Sequence, residues 1–164
     1  MSDQPAPPAT SVPRKFLLVV DSSIELRAAL RFSCRRALHT GGTVALFYAV
    51  PQRDSHYFAT IGELMEREAR SEAEEVLKAV ATDAHRQMGS YPLMYLREGD
   101  TMEQLLAVIA EDLSISVLVL GAGTGPEGPG PIVSALSGKL AGKLRIPVTI
   151  VPGHLTDQQV DALT

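Results

Sequence analysis

The chain has 164 residues, 45% of them hydrophobic and 21% charged, with a formal net charge of -4. That length suits one domain with a proper core and excludes two comfortable ones, and the acidic balance offers no basic field for nucleic acid. One cysteine allows neither an internal disulfide nor a Cys-x-x-Cys centre, and there is no apolar run long enough for a membrane span and no apolar amino-terminal signal region, so the sequence reads as cytoplasmic.

Residues 1–13, rich in Pro, Ala, Ser and Thr, bury too little apolar surface to order themselves and are expected to form a flexible tail. The folded domain is expected over 14–152, followed by a tail at 153–164 that can form a short helix capped by Thr156. The first strand is "KFLLVV", apolar throughout and therefore buried on both faces, ending at Asp21. A helix over about 23–39 follows, with Leu26, Ala29, Leu30, Ser33, Ala37 and Leu38 along one stripe and Arg27, Arg31, Arg35 and Arg36 outside it; "TGG" at 40–42 ends it. The second strand is "TVALFYAV", then a polar connection, then one long amphipathic helix over about 63–88.

"YPLMYLR" gives the third strand, and the third helix starts with Asp100 or Thr101 as its N-cap and Glu103 in its first turn. "ISVLVLG" is the fourth strand, a helix over about 132–144 follows, and "PVTIVP" is the fifth strand. Lys139, Lys143 and Arg145 are expected to favour the carboxyl end of that fourth helix. Strands alternating with helices predict an α/β fold, an open five-stranded parallel sheet with helices on both faces. Such sheets bind ligands beyond the carboxyl ends of their strands, where strand order reverses. The rule points to "DSS" after the first strand, "AV" after the second and the Gly-rich loop after the fourth.

Asp21 and Ser22 offer a carboxylate and a hydroxyl at a helix start, suited to the amino or hydroxyl groups of a nucleoside. The same stretch also spells a capping box, Ser22 with Glu25, which would serve the helix alone; the two roles are compatible. Gly123 to Gly128 reads Gly-x-Gly-x-x-Gly, but Pro126 interrupts it and no later strand carries the acidic partner of a dinucleotide fold. "SGKLAGK" fails as a phosphate loop, because Leu140 stands where Ser or Thr is needed and Val133 where the first Gly is needed. The four histidines show no metal-ligand spacing.

With Asp21 after the first strand, "FYAV" closing the second, "VLVLGAG" and "IPVTIVP", the chain resembles the universal stress protein family from Lys15 to Pro152. The resemblance implies an open parallel sheet of the adenine-nucleotide alpha-hydrolase-like type, a homodimer through the last strand, and a switch-point site that takes ATP or AMP in some members and no nucleotide in others. ATP-binding members carry Gly, two residues, Gly, nine residues, then Gly-Ser or Gly-Thr. On that pattern Gly121 keeps the first glycine, while Thr124, Ser134 and Ala135 replace the second glycine, the third and the hydroxyl residue. A register using Gly125, Gly128 and Gly138 keeps three glycines, but it sets Gly138 about two turns into the fourth helix, where backbone N–H groups are already bonded. Asp21 matches the adenosine-contacting aspartate, Ser22 follows it, and Ala49 matches the small residue facing the base.

The implied function is a non-catalytic stress-response domain with a degenerate nucleotide crevice and weak or altered ATP or AMP binding. The alternative is a nucleotide-free dimeric interaction or signalling protein. An ATP hydrolase is the third reading; Asp21 and Glu127 are its only acidic candidates near the crevice.

Overall fold

The computed structural model of the chain describes residues 12–52 and 59–164. The expected tail up to residue 11, and most of the polar connection before the long helix, lie outside the described residues. The strands are β1 (Lys15–Val19), β2 (Thr43–Val50), β3 (Leu93–Glu98), β4 (Ile115–Ala122) and β5 (Val148–Pro152). The helices are α1 (Leu26–Thr40), α2 (Ala59–Met88), α3 (Thr101–Glu111), α4 (Pro131–Ser137) and α5 (Asp157–Leu163).

All four pairings are parallel and the order is β3-β2-β1-β4-β5. Along β1 alternate side chains enter two separate cores. Phe16, Leu18 and Val20 pack with α1, α2 and α5, while Leu17 and Val19 pack with α3 and α4. A continuous apolar run is what a strand buried on both faces requires. Right-handed crossovers put the first two connections on one face and the next two on the other, so strand order reverses between β1 and β4.

The punctuation read from the sequence has physical counterparts. Gly41 ends α1 in the left-handed conformation at φ 66°, where a Cβ would be strained. Asp100 is the N-cap of α3, its carboxylate accepting from the Glu103 N–H at 2.9 Å. Thr156 caps α5 through a full capping box with Gln159.

Three expectations are corrected. α2 starts earlier than the apolar spacing indicated, at Ala59, because in its first turns Ile61 and Leu64 are exposed and add nothing to the buried stripe from which its start was read. The fourth helix ends at Ser137 instead of running to 144, because Gly138 turns out of the helical region, and a short 3-10 turn at Ala141–Lys143 then brings Leu140 and Leu144 onto the core. Arg145 does not serve α4. It donates to the carbonyls of Ile109 and Asp112 at 2.7 and 2.8 Å, closing the carboxyl end of α3.

The arginines of α1 meet carboxylates. Arg31 forms a two-pronged pair with Asp161 at 2.7 Å on each arm, Arg27 bonds Asp157, and Arg35 lies 3.4 Å from Asp161. These contacts fasten α5 to α1, and Val160 of α5 is fully buried between them. Beneath the arginines, Cys34 is buried and its thiol is pushed up to about 12 by that burial, against a small opposing pull from Arg31.

Candidate functional site

After β1 the chain crosses to α1 through a turn organised by Asp21. Its Oδ1 accepts from the Ser23 N–H at 2.9 Å and from the Ser23 hydroxyl at 2.6 Å. This aspartate turn replaces the expected Ser22–Glu25 capping box. Helix α1 consequently starts at Leu26, and Glu25 occupies the N-cap position with no side-chain cap bond. Ser22 is thereby released to the surface, and among the described residues no side chain or amide bonds the second oxygen of Asp21.

The carboxyl ends of β1, β2 and β4 open onto a crevice of about 300 Å³. Val19, Phe47, Ala49 and Leu120 form an apolar floor; Asp21, Ser22 and Thr101 bring polar groups to its rim. The segment Pro129 to Val133, leading into α4, covers it from the far side. Gly130 there has φ 107°, a conformation open to glycine, and Pro131 takes the first helical position, where its missing N–H costs nothing.

Of the residues singled out from sequence, Asp21, Ser22, Ala49 and Gly121 line this crevice together. Thr124, Ser134 and Ala135 do not: Thr124 sits on the exposed loop, Ser134 faces solvent on α4 with its N–H bonded to the Gly130 carbonyl at 3.0 Å, and Ala135 is half-buried beside it. Gly138, the end of the alternative register, is the C-cap of α4, so it is not inside a helix as expected, yet it too lies outside the crevice wall. Glu127 is exposed on the loop, away from the wall.

Sequence reasoning missed Tyr48, Thr101 and Pro129 to Val133, all of which line the crevice. Thr101 had a usable signal, since it follows the carboxyl end of β3 as Asp21 follows that of β1. The covering segment had none, because the loop's path back over the strands is set by contacts beyond its own sequence.

Fold and crevice together define a doubly wound α/β protein with a ligand crevice at the point where strand order reverses. The sequence profile of the universal stress protein family matches residues 13–152, and the chain belongs to that family. No curated protein matches it closely enough in sequence to be aligned with it. Among solved structures, the universal stress protein UspA from Lactobacillus plantarum is 14% identical with a TM-score of 0.67, covering 84% of this chain and 97% of that one. A universal stress protein from Archaeoglobus fulgidus in complex with dAMP is 16% identical at a TM-score of 0.60, with 85% and 98% covered. One from Arabidopsis thaliana with AMP bound is 17% identical at a TM-score of 0.60, with 85% and 92% covered. At such identities the likeness establishes the fold.

Proposed function

We propose that the crevice holds the adenosine part of an adenine nucleotide without catalysing a reaction, making the chain a stress-response domain of the cytoplasm with an altered ATP or AMP site. The carrying observation is the convergence of Asp21, Ser22, Ala49 and Gly121 on one cavity at the switch point. Its apolar floor suits a base, while the second oxygen of Asp21 and the hydroxyls of Ser22 and Thr101 suit amino and ribose groups. The neighbours from Archaeoglobus fulgidus and Arabidopsis thaliana, described with dAMP and AMP, support the same choice. Calorimetric titration with AMP tests it: a saturable heat is expected, with a thermal stabilisation of about 2.7 kcal/mol at a hundredfold excess over Kd. No heat and no shift at millimolar ligand would remove the reading.

Hydrolysis is left out because, among the described residues, Asp21 is the one carboxylate in the wall, and Ser23 engages one of its oxygens. Phosphate release above an Asp21→Ala control would overturn this part. The second reading, a nucleotide-free homodimer through the last strand, is favoured by β5, which among the described residues pairs with β4 alone and leaves Ile150 42% exposed at the sheet edge. Light scattering separates the two: a dimer broken by Ile150→Lys and indifferent to AMP supports the second alone.

A further inference from the structure

Next to the adenosine pocket, the Gly-rich loop that follows β4 is backed by a carboxylate and not by a cation. Two of the loop's amides are bonded internally, the Gly123 N–H donating to the Pro129 carbonyl at 3.2 Å and the Gly128 N–H to the Gly125 carbonyl at 3.1 Å. The loop also folds tightly, since a Cβ on Gly123 would lie 2.8 Å from the Gly128 carbonyl oxygen.

Behind the loop stands Glu25. A Cβ on Gly153 would meet its Cγ at 2.2 Å, one on Gly121 its backbone oxygen at 3.0 Å, and one on Gly123 its Oε1 at 3.5 Å. Glycines at the ends of β4 and β5 thus make a slot that the Glu25 side chain fills. The Ser23 hydroxyl, shared with Asp21, and Glu25's own backbone N–H hold this carboxyl below its usual range, so it is charged at neutral pH. Among the described residues no Lys or Arg lines the crevice, and Asp21 adds a second negative charge at its rim.

From this geometry we infer that the crevice selects against phosphate: adenosine binds best, AMP less well and ATP worst, with Glu25 as the residue that sets the order. The inference rests on the adenosine reading above. With no cation in the wall among the described residues, each added phosphate brings more negative charge toward the Glu25 and Asp21 carboxylates. Glu25 does not itself line the crevice, so replacing its carboxylate by an amide of the same shape leaves the base and ribose contacts in place.

The test is calorimetry on the full chain with adenosine, AMP and ATP at low ionic strength, repeated on Glu25→Gln. Adenosine is expected to bind at least about tenfold more tightly than ATP, and Glu25→Gln to narrow that ratio by about threefold or more while leaving adenosine unchanged. Raising the salt on the unaltered chain is expected to narrow the ratio as well, which keeps the test open should the variant fold poorly. ATP binding as well as or better than adenosine, or a ratio indifferent to both charge and salt, overturns the inference and leaves the adenosine site standing. Silence from all three ligands removes the adenosine site and this inference with it.

Discussion

The two ends of the sheet treat their polar groups in opposite ways. At the amino end, Asp112 accepts from the Lys15 ammonium at 2.7 Å, from the Tyr95 hydroxyl and from the Ser114 N–H and hydroxyl, while Arg145 takes the neighbouring carbonyls. Four donors there meet one carboxylate, and the result is a joint between β1, β3 and the α3–β4 turn. At the carboxyl end, Asp21 has an oxygen with no partner among the described residues, and Ser22 stands in solvent. Satisfied networks fix a structure; unsatisfied groups over an apolar floor leave hydrogen bonds for a ligand to make. The contrast assigns stability to one end and recognition to the other.

The strongest way to break that division is Asp112→Ala, which strands Lys15, Tyr95 and Ser114 together. A loss of about 2–3 kcal/mol is expected, lowering Tm by about 5–10 °C, with adenosine affinity unchanged in calorimetry. Next comes Gly153→Ala, whose added methyl group would overlap Glu25. Overpacking of this kind costs about 1–3 kcal/mol and, unlike the first variant, should also disturb ligand binding, because the displaced Glu25 pushes on Gly121. Asp21→Ala is the converse of Asp112→Ala: denaturant melts should move by less than about 0.5 kcal/mol while adenosine affinity falls about tenfold.

The smallest effect is the pH response, and it belongs to the amino end. Burial opposes the charge on Asp112, but the bonds from Lys15, Ser114 and Tyr95 outweigh it and hold the carboxyl well below the usual range. A carboxyl depressed in the folded state contributes fully above the ordinary aspartate value of about 4 and loses that contribution as pH falls below it. Tyr95 moves the other way, pushed up to about 12 by burial and by Asp112. Its contribution is whole below the ordinary tyrosine value of about 10 and is lost between there and about 12. Thermal melts across pH are expected to fall at both extremes, and Asp112→Asn to flatten both arms.

What could be read in advance divides along similar lines. The bounds of β2, the Asp100 cap, the Gly41 stop and the α5 cap are local matters, decided by a few adjacent residues whose chemistry is visible in order. The parallel sheet followed from runs such as "KFLLVV", where no alternation is needed because both faces are covered. The failures involve competition or distance. Ser22 and Glu25 spell a capping box, yet Asp21 captured Ser23 first. Arg145 passes over its own helix to close α3, more than thirty residues earlier in the chain. The phosphate-loop alignment put Thr124, Ser134 and Ala135 in a wall made instead by Pro129 to Val133, because spacing alone says nothing about how a loop returns over the strands. Asp21, Ser22, Ala49 and Gly121 were legible for the opposite reason: each lies at or just past a strand end, and strand ends in this topology have only one place to point.

The position of Cys34 closes off a chemical channel. A thiol with no solvent contact, held protonated far above neutral pH, offers peroxide neither access nor a thiolate, so the folded chain is deaf to oxidants that signal through a cysteine thiol. Since this is the chain's sole cysteine, whatever condition alters the protein's behaviour must reach it by another route than thiol chemistry, and modification by a thiol reagent becomes a clock for global opening of the fold.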